Sequence, residues 1–218
     1  MTTNTSEKAF QNHIIMHLVS TGYRKRGNEN YNKATCLDPE LTLKFIHDTQ
    51  KKEWKKFKRV YGEQAERKFF YRLVNEIERK GTINVLRNGF KDAGCSFKLF
   101  YSKPNTHKNP DLFEKFERNI FSVIDELEYG QKEDGKRLDL VIFINGLSII
   151  TIELKDTFSQ GVERAIKQYR EDREPKEPIF QRCFVHFAMS DEKIYMATKL
   201  EGLKTRFLPF NKGLENPP

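Results

Sequence analysis

Apolar residues recur at intervals of three and four along the first eighty positions, the spacing that places them on one face of a helix. This pattern predicts an opening helix over 7–20. A second helix is expected to begin after the turn at 38–40 and to continue to Phe57, and a third is expected over 63–80, where Gly81 ends it. Roughly the first eighty residues are therefore predicted to be mainly helical.

The pattern changes after Gly81 to short apolar runs that are bounded by turn residues. Asn88-Gly89 is a typical hairpin dipeptide, and residues 97–101 have the composition of a strand. We therefore expect the sheet to begin in this segment and to form a core over about 81–218.

A β-hairpin is the strongest local prediction. Residues 138–144 and 147–154 are two short runs rich in β-branched residues, and Asn145-Gly146 joins them. The elements expected after the hairpin are a helix over 161–170, a strand over 184–189 and a last strand over 193–197. Together these elements predict an α/β fold with a mixed central sheet flanked by helices. No repeat or flexible linker interrupts the pattern, so a single domain over 1–218 is expected.

Composition and charge narrow the choice of function. The formal net charge is +8, and such an excess of cations favours polyanionic partners, of which nucleic acid is the first candidate. A solvated basic surface that only maintains solubility explains the charge equally well. No apolar run approaches the roughly 20 residues of a membrane-spanning helix, and the first residues lack a secretion signal. A cytoplasmic protein without membrane contact is expected.

Candidate chemistry lies on the hairpin. Asp139 stands inside an apolar strand, and Glu153 and Lys155 lie two positions apart at the end of the next strand. The two-residue turn at 145 and 146 places Asp139 opposite Ile152 and beside Glu153. Two neighbouring carboxylates repel unless a cation lies between them, and with the backbone carbonyl of Leu154 they form a plausible Mg²⁺ site. Lys155 can orient a water or stabilise charge on a phosphodiester.

A less specific interpretation of the same residues stays open. Asp139 and Lys155 can form a structural ion pair while Glu153 is solvated at the end of its strand, because the spacing alone is a weak signal. The following helix is expected to carry Lys167, Gln168, Arg170 and Arg173, and these side chains could hold DNA phosphates or form a solvated face. No phosphate-binding loop, G-x-S-x-G elbow or H-E-x-x-H motif occurs in the sequence.

Long stretches of the chain match a known pattern. They are LDLVIFINGL (138–147), ELK (153–155), AIKQYR (165–170), DR (172–173), VHFA (185–188), FLPFNKG (207–213), and the segments 31–45 and 48–54. On these stretches the sequence resembles the N-terminal region of the R subunit of type I restriction endonucleases (HsdR), over most of its length. The resemblance implies a RecB-like nuclease of the PD-(D/E)xK class, with Mg²⁺ as cofactor and with Asp139, Glu153 and Lys155 as its catalytic motif.

The resemblance also implies a larger context. In that family the nuclease region precedes motor domains that use ATP to translocate double-stranded DNA, and the subunit assembles with methyltransferase (M) and specificity (S) subunits. This chain would then be a fragment of a longer subunit from which the motor domains are missing. Cleavage at a distance from the recognition site would follow translocation.

One departure concerns the helix after the lysine. Many related nucleases carry Q-x-x-x-Y there, but Ala165 stands four residues before Tyr169, and the glutamine is the adjacent Gln168. Gln168 and Tyr169 are the proposed residues for DNA contact or for support of the site. A glutamate of the first helix often completes the metal site in this superfamily, and Glu7 is the candidate here.

Two other functions remain open at this point. One is a non-catalytic DNA-docking or assembly module of the same subunit, in which the metal site is inactive. The other is a repair or RNA-processing nuclease of the same fold.

Overall fold

A computed structural model describes residues 4–105, 109–130, 135–155 and 161–210 of the chain. Residues 211–213 of the FLPFNKG stretch lie outside the described residues. The helices are α1 (Asn4–Ser20), α2 (Pro39–Thr49), α3 (Lys51–Tyr61), α4 (Ala65–Lys80), α5 (Thr82–Asn88), α6 (Pro110–Glu117), α7 (Gly161–Glu171) and α8 (Pro178–Arg182). The strands are β1 (Arg24–Arg26), β2 (Phe90–Asp92), β3 (Cys95–Phe97), β4 (Phe121–Glu128), β5 (Arg137–Ile144), β6 (Leu147–Leu154), β7 (Val185–Met189), β8 (Ile194–Ala197) and β9 (Leu208–Pro209).

The N-terminal helices confirm the helical pattern, with one interruption. The long second helix predicted to reach Phe57 is two helices, α2 and α3, which meet at Gln50. The Gln50 side chain bonds the backbone of Lys98 from both ends: its Nε2 donates to the carbonyl at 2.8 Å, and its Oε1 accepts from the amide at 2.7 Å. A tertiary contact therefore sets the break.

The prediction that the sheet begins between Thr82 and Tyr101 is wrong. The apolar residues after Gly81 form helix α5, and Asn88-Gly89 ends that helix instead of turning a hairpin. Gly89 has a φ of 69°, and a Cβ there would lie 1.9 Å from the carbonyl oxygen of Phe97, so only glycine fits. The segment contributes only β2 and β3, which form a separate antiparallel pair.

The main sheet is mixed, as predicted, and has seven strands in the order β1-β4-β5-β6-β7-β8-β9 among the described residues. The pairs β1–β4 and β6–β7 are parallel and the others antiparallel. The first strand comes from the polar stretch before α2, so the N-terminal part also supplies an edge of the sheet. The helical description of that part is therefore incomplete.

The predicted hairpin is confirmed as β5 and β6, but its register differs from the prediction. Near the turn Ile144 pairs with Leu147, as an uninterrupted two-residue hairpin requires. A β-bulge then shifts the ladder by one residue, so that Leu140, not Asp139, lies opposite Ile152. The positions that follow are Asp139 and Glu153, and the bulge therefore brings the two carboxylates across from each other.

The sheet separates two hydrophobic clusters. Leu140 and Ile152 belong to the larger one, which packs against helices α1–α5, whereas Val141 and Phe143 belong to the other, together with Tyr169 of α7. This layering is typical of α/β domains. No helix among the described residues has both the length and the apolar character that crossing a membrane requires.

Candidate active site

Asp139 lies near the start of β5, where the neighbouring strand β4 is irregular. Its Oδ2 accepts a hydrogen bond of 2.6 Å from the backbone N–H of Leu154 on β6. Burial raises the pKa of the Asp139 carboxyl, while the Leu154 N–H and the charge of Lys155 act in the opposite direction. Any further positive charge near the Asp139 carboxyl would therefore stabilise its ionised form.

Glu153 is fully buried on β6, and a cation holds one side of it. Arg173 Nε and Nη2 reach its Oε1 at 2.7 and 2.6 Å. Its Oε2, shielded from solvent, has no hydrogen-bond partner among the residues described. Burial and the nearby Asp139 carboxyl raise the pKa of Glu153 well above its ordinary value. Glu153 thus has a like charge nearby and one carboxylate oxygen without a hydrogen-bond partner among the described residues.

Lys155 follows directly after β6 and points back to the same place. Its Nζ donates to the Leu154 carbonyl at 2.6 Å and lies 3.1 Å from Oε1 of Glu7 in helix α1. Its backbone N–H bonds the Met189 carbonyl at 2.9 Å, which fixes the residue against β7. Lys155 therefore pairs with Glu7 and not with Asp139, and Glu153 is not solvated, so the less specific interpretation of the motif is not what the structure shows.

A small cavity adjoins Asp139, and Glu153 is not among the residues that line it. It has a volume of about 30 Å³ and is lined by Glu7, Lys8, Gln11, Glu126, Asp139 and Leu154. A buried water needs only about 10–15 Å³ of such space, so the cavity has room for a water or a small ion. Glu7, the residue that the resemblance suggested, thus lies beside Asp139.

Gln11 and Glu126 are site residues that the sequence did not reveal. Gln11 Nε2 donates to the Asp139 carbonyl at 2.8 Å and to Oε1 of Glu126 at 3.1 Å. Glu126 has a φ of 50°, an unusual value for a residue other than glycine, at the point where the pairing of β4 with β5 is interrupted. The one signal in the sequence that points to Gln11 is its position on the first predicted helix, which also carries Glu7.

The residues predicted to contact DNA do not form one exposed surface, and Arg173 lies two residues beyond the end of α7. Tyr169 and Arg173 are buried, and Arg170 donates through Nε and Nη2 to the Thr205 carbonyl at 3.1 and 2.9 Å. Lys167 is exposed and lies 3.6 Å from Glu171, and Gln168 is half-buried. The positions of Tyr169 and Arg173 agree with support of the site and not with contact to a duplex.

Support from α7 extends through a buried chain of side chains. The Tyr169 hydroxyl lies 2.8 Å from Oγ1 of Thr151, which lies 2.8 Å from Nδ1 of His186. Arg173 donates to the Tyr129 hydroxyl at 3.1 Å and to the Arg137 carbonyl at 2.7 Å. The strand that carries Glu153 is thus held from the α7 side.

His186 gives a prediction about stability. Burial lowers its pKa to about 4, so the folded protein keeps it neutral, whereas the unfolded chain binds a proton near pH 6.5. Its contribution is full above pH 6.5 and is lost as the pH falls towards 4, by roughly 3 kcal/mol. In urea unfolding, we expect His186→Gln to lose less stability than the wild type between pH 7 and 4.5. Equal losses in both proteins would contradict this role.

The donor atoms present fit a hard divalent cation. Mg²⁺ prefers oxygen ligands and keeps several waters, so two carboxylates and one carbonyl suffice. No group of three or more His, Cys, Asp or Glu side chains is arranged for metal binding in the described part of the chain. The unsatisfied Oε2 of Glu153 is the atom that a cation would satisfy.

The fold and the site together are compatible with a nuclease. The chain is an α/β protein with a mixed central sheet, in which Asp139 near the start of β5 lies close to Glu153 and Lys155 at the end of β6.

Comparison with known proteins identifies the family. The family described as Type I restriction enzyme R protein N terminus matches residues 4–205, and the chain belongs to it. It is also 29% identical over 184 residues to a provisionally named type I restriction enzyme MjaVIIIP endonuclease subunit of Methanocaldococcus jannaschii. That match covers 81% of this chain but 16% of the relative, so the chain spans a small part of the relative's length. The resemblance seen in the sequence is thereby confirmed.

Proposed function

We propose that this chain is the DNA-cleaving domain of a type I restriction R subunit, of the PD-(D/E)xK class, and that it hydrolyses phosphodiester bonds in double-stranded DNA. The observation that carries the proposal is the fully buried Glu153, whose Oε2 is unsatisfied near the half-buried carboxyl of Asp139. Isolated buried carboxylates are costly, and a site that assembles two of them favours a bound cation.

Each residue has a role in this proposal. Asp139, Glu153 and the Leu154 carbonyl would hold Mg²⁺, with Glu7 as a further candidate from α1. The ion, when bound, would lower the pKa of a coordinated water and neutralise charge on the phosphate. Lys155 keeps an ammonium group at the same place, where it can donate to the attacking water or to a phosphate oxygen. Gln11 holds the Asp139 backbone against α1.

The larger assembly belongs to the same proposal. On the basis of the family match, the proposal includes a longer subunit with ATP-using motor domains, M and S partner subunits, and a cytoplasmic location. ATP would act through those domains and not through this chain.

A second candidate function is a non-catalytic docking or assembly module. One observation favours it: Arg173 already neutralises Glu153, and Lys155 already occupies the Leu154 carbonyl. In such a module the side chains of Arg173 and Lys155 would occupy the positions at which a metal-dependent enzyme binds its ion.

Calorimetric titration with Mg²⁺ separates the two candidates. The wild-type chain is expected to bind the ion, and Asp139→Asn is expected to lose measurable binding, because asparagine keeps the shape and the Leu154 contact but removes the charge. Asp111→Asn, an exposed acid on α6, is the matched control and should bind like the wild type. A wild-type chain that binds no Mg²⁺ would favour the docking module.

A further inference from the structure

The positive charge of the chain is concentrated in one helix. Helix α3 carries six Lys and Arg against one Glu, a formal charge of +5 within a chain whose total is +8. The cations are Lys51, Lys52, Lys55, Lys56, Lys58 and Arg59, and all six are exposed. The excess that first suggested nucleic acid therefore belongs to this element and not to the helix after the catalytic motif.

These cations are free to meet an external anion. None of the six forms an ion pair with any residue that the structure describes; Lys56 alone makes a contact, from Nζ to the Gly94 carbonyl at 2.6 Å. The one acid of the helix, Glu53, accepts the backbone N–H of Ser96 at 3.1 Å. The cations near the active site differ, because Lys167, Arg170 and Arg173 all have partners within the fold.

The helix presents its charges on a rigid support. Trp54 and Phe57 are buried beneath it, in an aromatic cluster with Phe69 and Phe97. Eleven residues of helix extend over about 16 Å, a length along which duplex DNA carries about nine phosphate charges. Lysine contacts phosphates as a point charge and reads no sequence, which suits a surface that holds any duplex.

The basic surface continues past the start of α3. A cleft of about 490 Å³ is lined by Lys51, Lys52, Lys98 and Lys115, with Tyr101 at its wall. Two acids also line this cleft, and both have partners in the fold. Glu53 accepts the Ser96 N–H, and Asp48 forms an ion pair with Lys44 at 2.7 Å. No residue of α3 lines the cavity at Asp139.

We propose that the exposed face of α3, extended by Lys98 and Lys115, is the surface on which the chain docks the phosphate backbone of duplex DNA. The inference rests on the proposed function for the choice of DNA as partner. It separates holding the duplex, on α3, from cutting it, at Asp139 and Glu153.

The test measures binding of a fluorescent DNA duplex to the full chain by anisotropy, in EDTA and over a range of salt concentrations. The variant is Lys52→Gln, Lys55→Gln and Arg59→Gln combined, three positions on one helix face where glutamine keeps the helix propensity. We expect affinity to fall on the order of tenfold or more, and the salt dependence of log K to weaken by about 0.9 for each phosphate that the variant no longer neutralises.

Matched variants make the result specific. Arg164→Gln, Lys176→Gln and Lys204→Gln combined remove the same charge from exposed positions elsewhere and should keep most of the affinity. Replacing Lys52 and Lys55 by arginine should retain binding. Equal losses in the two glutamine variants, or wild-type binding by the α3 variant, would overturn the proposal. The same assay with a duplex RNA probe tests the choice of DNA. If the α3 variant loses affinity for the RNA duplex but not for the DNA duplex, that choice is wrong.

The Mg²⁺ titration separates this inference from the proposed function. DNA binding in EDTA needs no metal ion and reports the docking surface, whereas calorimetry of the wild type and Asp139→Asn reports the metal site. Failure of Asp139→Asn to affect metal binding would therefore contradict the nuclease site and leave the docking surface standing.

Discussion

Asp139→Asn is expected to reduce DNA cleavage by the assembled restriction complex about a thousandfold, while ATP hydrolysis continues. Losing the charge at Asp139 would remove about 4 kcal/mol of stabilisation from the reacting phosphate, and each 1.4 kcal/mol corresponds to about a tenfold change in rate. Asparagine can still accept the Leu154 N–H through its side-chain oxygen, so the strand pairing should survive. The measurement is plasmid cleavage with the full-length subunit and its partners, and ATP hydrolysis reports the motor in the same reaction.

A control variant and a contradicting outcome complete the Asp139→Asn experiment. Asp111→Asn removes one exposed carboxylate from α6 and should cut like the wild type. If Asp139→Asn complexes cut DNA at the wild-type rate with an active motor, Asp139 would be a structural residue and the central assignment would be wrong. Removing Mg²⁺ is a poorer test in the complex, because ATP hydrolysis is also expected to need the ion.

Arg173→Met is expected to lower the free energy of unfolding by about 3–5 kcal/mol, the usual result of breaking a buried ion pair. Both Arg173 contacts to Glu153 lie within 2.7 Å, and the two side chains are 7% and 0% exposed, so water cannot replace the missing partner. Tyr129 and the Arg137 carbonyl lose a donor as well. Equilibrium unfolding in urea measures the change through its midpoint and slope.

Two further variants assign the cause of that destabilisation. Glu153→Gln combined with Arg173→Met removes both charges and should recover much of the stability, because neutral replacement of a buried pair is often tolerated. Arg164→Met on the exposed face of α7 should stay within about 0.5 kcal/mol of the wild type. A destabilisation below about 1 kcal/mol by Arg173→Met alone would mean that Glu153 is not held by this cation.

Local patterns predicted the elements whose residues face one environment throughout. The helical spacing before Gly81 and the hairpin around Asn145-Gly146 are confirmed, because an apolar face of regular period leaves one arrangement that buries it. The stretch after Gly81 was misread because Asn-Gly can end a helix as well as turn a hairpin. The close approach of the Phe97 carbonyl to Gly89 favours the helix end, and this contact joins residues that are not neighbours in sequence.

The order of the sheet was also beyond local pattern. Strand β1 has three charged residues and no apolar alternation, yet it pairs in parallel with β4, about a hundred positions away. Charged edge strands are common in sheets, but composition does not distinguish them from loops. This pairing is a long-range contact that only folding of the whole chain makes.

Some residues of the candidate site were predicted from sequence, and the role of another became visible only in the tertiary structure. Asp139, Glu153 and Lys155 were predicted from sequence, because charged residues in apolar strands need a partner and the hairpin brings them close. The role of Arg173 was not, because a cation next to a helix of mixed charge is as easily interpreted as a DNA contact. Its burial against Glu153 became visible only when α7 was packed on the sheet.

The sequence by itself determined the helical first part, the hairpin and the family, because each depends on neighbouring residues or on long matching stretches. The acidic and basic residues of the motif stay a prediction. The tertiary structure decided how the two carboxylates meet. A one-residue bulge changes which residues face each other across the hairpin, and it places Leu140 opposite Ile152, with Asp139 and Glu153 next in register. It also decided which cations are free, since partners across the fold neutralise those near the motif and leave the charges of α3 exposed to solvent.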